Sequence, residues 1–241
     1  MSTVAPPADT DTPPPARRPR ADEVADRLLA LEAGGWFEAA GLTWADYQRV
    51  MAARDEHRPG VRLLYDRGRL EVMSHGRRHE LWKKLLGGLV EAYLIEADVP
   101  FSPAGNMTFE REDLERGFEP DDCYYLRPTP DLPAVRPINF HTDPPPDLIV
   151  EVEASRSARG RLPVYAAFRI PEVWRFDGAA VTVLRLRPDG EYEPAASRAV
   201  PGFPLADLPR YLQMLGTVSH GRLIRDFQAF VRTLAPPPET A

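Results

Sequence analysis

The stretch PPPDLIVEVEAS carries Asp147, Glu151 and Glu153 at even spacing. In an extended strand side chains alternate faces, so these acids share one face with Ile149, while Leu148, Val150 and Val152 share the other. Ionised carboxylates crowded on the face of a central strand repel each other and lose hydration unless a cation joins them. An edge strand with one wet face is the plainer alternative. A second acidic group, FEPDDCYYL, sets Asp121 on the face of Cys123 and Tyr125, although a Pro-Asp pair at a strand entrance is also ordinary turn chemistry. Taken together, Asp121 and Glu151 on neighbouring strands can hold one Mg²⁺ or Mn²⁺, with water completing the shell. Such an ion polarises a phosphoryl oxygen, lowers the pKa of an attacking water and offsets phosphodiester charge. A metal-free acid–base pair acting on a glycoside is a further possibility, but the aromatic platforms expected around a sugar site are missing.

These acids need a scaffold, and the chain is long enough to supply one. It has 241 residues, 43 % of them hydrophobic, enough to bury a substantial core. Residues 1–21 are Pro-rich and aperiodic and read as a disordered tail; 22–234 reads as a single domain, and 235–241 as a flexible C-terminal tail. Thr43 caps a helix through TWADYQRVMAARD, and VRLLYDRGRLEVMS reads as two strands turning at Asp66-Arg67-Gly68. The strongest helix runs from His79 to about Ala97, with one broad apolar stripe. Strands at 123–126, 148–152 and 173–176 follow, the last two separated by a short helix carrying Tyr165. Then come an alternating strand at 181–186 and a closing helix at roughly 222–234. The order implies an α/β or α+β fold on a mixed sheet. One cysteine excludes an internal disulfide and fits a reducing, cytoplasmic setting, and no apolar run is long enough to span a bilayer. The net charge of −6 argues against nonspecific coating of nucleic acid but leaves room for a local basic cleft.

Other reactive side chains divide by their surroundings. His79 borders the apolar stripe of its helix, where it can bond a carboxylate or a phosphate or simply cap the helix, whereas Glu80 falls near the opposite pole. His57, His75, His141 and His220 read as scattered surface or loop residues. Cys123, beside acids, reads as a small core residue. Gly87-Gly88 suits close packing against the sheet better than a phosphate loop. Arg77, Arg78, Lys83 and Lys84 form a basic cluster that suits a solvated helix face or a phosphate contact.

The wording of GRLEVMS, HELWKKLL, FEPDDCYYL, DPPPDLIVEVEAS and RLPVYAAFRIPEVWRFDG, in that order, resembles the Uma-two family of restriction endonucleases within the PD-(D/E)XK nuclease superfamily. The likeness covers roughly residues 40–232. It implies an α/β fold with a restriction-endonuclease-like core, a mixed central β-sheet flanked by α-helices. It further implies metal-dependent hydrolysis of DNA, with Asp121 and Glu151 as ligands of Mg²⁺ or Mn²⁺ and with His79 and Asp147 as accessory residues. A homodimer would supply a second site for the second strand. Glu153 stands where the strand motif has lysine, and the family's displaced lysine position is Arg161. Arginine keeps the charge but cannot exchange a proton with water, so a binding or regulatory module that has lost catalysis is the alternative reading. Lysine is scarce throughout the chain, with 28 of its 30 cationic residues arginine, which offers a neutral origin for the change. Arg169-Ile170 replaces the family's Gly-Val at a helix end that favours left-handed geometry.

Overall fold

The computed structural model describes residues 19–126, 138–153 and 158–234. The chain runs α1 (Ala21–Leu29), β1 (Trp36–Ala40), α2 (Trp44–His57), β2 (Val61–Asp66), β3 (Arg69–Ser74) and α3 (Arg77–Glu96). It continues through β4 (Ser102–Pro103), β5 (Phe109–Arg111), β6 (Arg116–Phe118), β7 (Asp122–Tyr125), β8 (Leu148–Val152) and α4 (Leu162–Ala167). It closes with β9 (Glu172–Phe176), β10 (Val181–Leu186), β11 (Tyr192–Pro194), α5 (Leu208–Gln213) and α6 (His220–Val231). The expected N-terminal tail lies outside the described residues up to residue 18. Ala21, placed in that tail, is instead buried at the start of α1. The expected C-terminal tail, 235–241, also lies outside them.

The expected mixed sheet has the order β11-β10-β9-β8-β7-β4. Its pairs are antiparallel except β8 with β9, which α4 joins as a parallel crossover. A second sheet, β1-β3-β2-β6-β5, is antiparallel throughout. Its centre is the β2–β3 hairpin, whose turn places Arg67 and Gly68 at φ 46° and 90°. Two successive positive φ values match the right-handed strand twist, and glycine takes its share without a Cβ clash.

Side-chain alternation divides the core into layers. Val61, Leu63, Tyr65, Leu70 and Val72 face α1 and α2. Leu148, Val150 and Val152 face α3, α5 and α6, alongside Leu86, Val90, Trp174 and Phe227. Between the sheets lies a third cluster in which Leu64 and Phe118 meet Cys123, Ile149 and Tyr165. β3 therefore turns Glu71 and Met73 toward the inter-sheet layer, and β8 turns Glu151 the same way. Among the described residues, no helix is long and apolar enough to cross a membrane.

Helix α3 packs close because of two small residues. A Cβ on Gly87 would stand 2.8 Å from Asp122 Oδ2, and one on Gly88 2.9 Å from Ile224 Cδ1 of α6. Cys123 is a buried free thiol, raised by burial and neighbouring acids and directed at the Gly105 carbonyl.

Candidate active site

The β7–β8 register runs Tyr124↔Leu148, Cys123↔Ile149, Asp122↔Val150. Continued one residue further, it sets Asp121 opposite Glu151, where directly opposed residues lie about 5 Å apart. Asp121 Oδ2 accepts from the Val152 backbone N–H at 2.8 Å, which fixes this side chain at the end of the ladder. Both carboxylates are buried, at 3 % and 2 % exposure.

Three further elements converge on the pair. From the first turn of α3, His79 Nε2 lies 2.9 Å from Asp121 Oδ2. From α4, Tyr165 donates its hydroxyl to Glu151 Oε1 at 2.7 Å. Arg161, at the start of α4, places NH1 3.5 Å from Glu151 Oε2 and donates from NH2 to Glu71 Oε1 at 2.9 Å. Asp121, Glu151, His79 and Arg161 thus come together at one end of the inter-sheet layer.

Two residues belong to the cluster that the sequence did not single out. Glu71 comes from β3, in the other sheet, and pairs with Arg161. His75, read as a surface or loop residue, is instead enclosed: its side chain is 7 % exposed and stacks on His79 with ring centroids 3.6 Å apart. Its Nδ1 lies 3.7 Å from Asp121 Oδ1. The signal for His75 was its position four residues before His79, although α3 starts only at Arg77, so the pair meets through a helix entry and not along a helix face.

Asp147 shares the Glu151 face but lies four residues away, about 13 Å along the strand. Its Oδ2 accepts from the Leu126 N–H at 2.8 Å, at the far end of β8. The structure therefore separates it from the cluster, because a common face does not imply a common position along the strand. Glu153 is turned to Arg175 of β9, whose guanidinium engages both carboxylate oxygens. Arg169 keeps the left-handed geometry at φ 58° although it carries a side chain.

The electrostatics are uneven. Burial alone would raise the Asp121 carboxyl, but the His79 bond and the charge of both imidazoles hold it below the usual range. Burial and the Asp121 charge push Glu151 up to about 7, against the pull of Arg161 and Tyr165. Burial lowers His75 to about 4. Burial opposes the charged form of His79 too, but the Asp121 hydrogen bond and charge outweigh it and raise this ring. Glu151 is thus a carboxylate that resists ionising beside another already ionised. A divalent cation would remove that conflict, and two facing carboxylates form the oxygen-donor set that such ions take. His75, His79 and Asp121 offer a further set of possible ligand atoms, all within 4.8 Å of one another.

Residues 44–214 match the model of the Uma2 family, described as "Putative restriction endonuclease". The chain belongs to the Uma2 family. The matched region spans the β2–β3 hairpin, α3, β7, β8 and α4, so every residue of the cluster lies within it. No curated protein matches the chain. Its mixed α/β architecture, with helices flanking the sheets, agrees with a restriction-endonuclease-like fold in this Uma2 chain.

Proposed function

We propose that this Uma2 protein is a divalent-metal-dependent endonuclease that hydrolyses DNA phosphodiester bonds. The observation that carries the reading is the buried Asp121–Glu151 pair, held opposite one another and electrostatically unbalanced. These two carboxylates would hold Mg²⁺ or Mn²⁺, which supplies charge neutralisation at the phosphate and a more acidic water.

The chain's own groups fix the ligands in place. The Val152 N–H and His79 orient Asp121, and the Tyr165 hydroxyl orients Glu151. Arg161 stays charged at any working pH, so it takes no proton from water and acts by stabilising negative charge. Its bond to Glu71 sets the direction of the guanidinium across the Glu151 carboxylate. Arg77 and Arg78, exposed in the first turn of α3, flank the entry to His79 and suit contacts to the phosphate backbone. A homodimer would present two such sites to a duplex.

The pairing of Arg161 with Glu71 also favours a second reading, in which the fold binds nucleic acid without cutting it. Nicking of supercoiled plasmid in Mg²⁺ or Mn²⁺ separates the two. Metal-dependent nicking that disappears in Asp121→Ala and Glu151→Ala supports the nuclease. Nicking that persists at the wild-type rate in those variants contradicts the assignment. DNA binding with no nicking in either metal favours the second reading. Arg161→Lys adds a direction: a strong gain would show that arginine impairs catalysis by withholding a proton-exchanging group.

A further inference from the structure

The hydrogen bonds around the two histidines fix where their lone pairs lie. His75 Nε2 sits 3.2 Å from the Met73 thioether sulfur, and His79 Nε2 sits 2.9 Å from Asp121 Oδ2. Sulfur and carboxylate oxygen only accept, so each Nε2 carries the proton. Once a ring holds a single proton on Nε2, Nδ1 is its lone-pair donor, and His79, whose doubly protonated form is favoured by Asp121 and Glu80, gives up its second proton when an ion binds. Both Nδ1 atoms are buried and neither has a hydrogen-bond partner. Two orphaned polar atoms on stacked rings represent a desolvation cost that a native structure offsets with a protein, water or ion partner.

Carboxylate oxygens lie near both atoms. His75 Nδ1 is 3.7 Å from Asp121 Oδ1 and 3.6 Å from Glu80 Oε1, and His79 Nδ1 is 3.5 Å from the same Glu80 oxygen. Ligand atoms on a tetrahedral ion with bonds of 2.0–2.1 Å stand about 3.3 Å apart, so Glu80 Oε1 stands within a few tenths of that separation from both Nδ1 atoms. Glu151 differs, because Tyr165 already donates to one oxygen and Arg161 flanks the other.

We propose that the Nδ1 atoms of His75 and His79, with Glu80 at the mouth, form a site for a first-row divalent transition cation of the Zn²⁺ or Co²⁺ class, with Asp121 behind the His79 ring. Imidazole nitrogen suits such ions, whereas Mg²⁺ strongly prefers oxygen. The Asp121–His79 hydrogen bond fixes that ring's tautomer and orientation, as a carboxylate commonly does behind a metal-bound histidine. Asp121 links the site to the carboxylate pair through its bond to His79, so any role in cleavage rests on the nuclease reading, but binding itself is read without DNA.

The test is titration of the chelator-treated full chain with Co²⁺, followed by visible absorption and calorimetry, with Zn²⁺ and Mg²⁺ as competitors. The expected result is one Co²⁺ per chain with nitrogen-ligated d–d bands, displaced by Zn²⁺ but not by about a hundredfold excess of Mg²⁺. His75→Gln should weaken Co²⁺ at least about tenfold, and Glu80→Gln less, with circular dichroism unchanged. The site is overturned by absence of Co²⁺ binding, by equal affinity in His75→Gln, or by displacement with equimolar Mg²⁺. Absence of Co²⁺ binding beside Asp121-dependent nicking in Mg²⁺ would overturn the site while leaving the nuclease reading intact. His75-dependent Co²⁺ binding without nicking in any metal would keep the site and overturn the nuclease.

Discussion

The molecule buries carboxylates in two ways. Glu119, at the end of β6, accepts from Arg54 on both oxygens, from the Thr108 hydroxyl and from the Leu63 N–H. Glu172 accepts from Trp174, Ser197 and the N–H groups of Arg198 and Ala199. Each of these acids has two donors on each oxygen, a finished arrangement that orders the surrounding chain. Asp121 and Glu151 instead face each other, and two imidazole nitrogens beside them have no partner. The fully paired acids hold the fold, whereas the facing pair beside two unpartnered imidazole nitrogens is where the proposed cation would sit.

This difference predicts opposite responses to removing charge. Arg54→Ala leaves Glu119 buried without its cation and should lower stability by about 3–5 kcal/mol in urea unfolding, with little direct effect on metal affinity. A smaller loss than about 1 kcal/mol would show that Glu119 is not fixed by this pair. Glu151→Gln should abolish nicking yet raise the stability of the metal-free protein at pH 8, on the order of 1–3 kcal/mol. The sign follows from the raised carboxyl: the folded state binds the Glu151 proton more tightly than the unfolded chain. Its contribution is therefore full below the ordinary glutamate range and lost as pH rises through about 7. His75, depressed to about 4, contributes with the opposite sign, so the Glu151 share is read as the wild-type minus Glu151→Gln difference in urea midpoint, which should fall from pH 5 to 8.

Two smaller effects test the scaffold around the site. Gly87→Ala sets a methyl against the Asp122 carboxylate, which also accepts from the Tyr124 hydroxyl, and should cost about 1–3 kcal/mol in thermal unfolding. Arg169→Gly relieves a left-handed residue at the end of α4 and should stabilise by about 1 kcal/mol, read as a small rise in melting temperature. An unchanged or lower melting temperature would mean that the Arg169 side chain offsets its own strain.

Much of this site was legible in one dimension. Alternation along 148–152 correctly separated the α3-facing valines from Glu151, and the apolar stripe of α3 distinguished buried His79 from half-exposed Glu80. Glu71 was hidden because its role depends on how the β2–β3 hairpin meets α4, a contact between residues ninety apart. The second sheet was only partly visible, since β5 and β6 are three residues each and too short to establish a period. Asp147 shows the converse: parity gave its face but not its distance from Glu151. His75 lies before the helix, so helical periodicity could not place it against His79.

The central claim is that this cluster is completed by a divalent ion. Its most direct test is the unfolding free energy of the wild type and Asp121→Asn at neutral pH, in chelator and in saturating Mn²⁺. At about a hundred times the dissociation constant, Mn²⁺ should stabilise the wild type by about 2.7 kcal/mol and leave Asp121→Asn nearly unchanged. Equal stabilisation of both proteins, or of neither, would contradict the account.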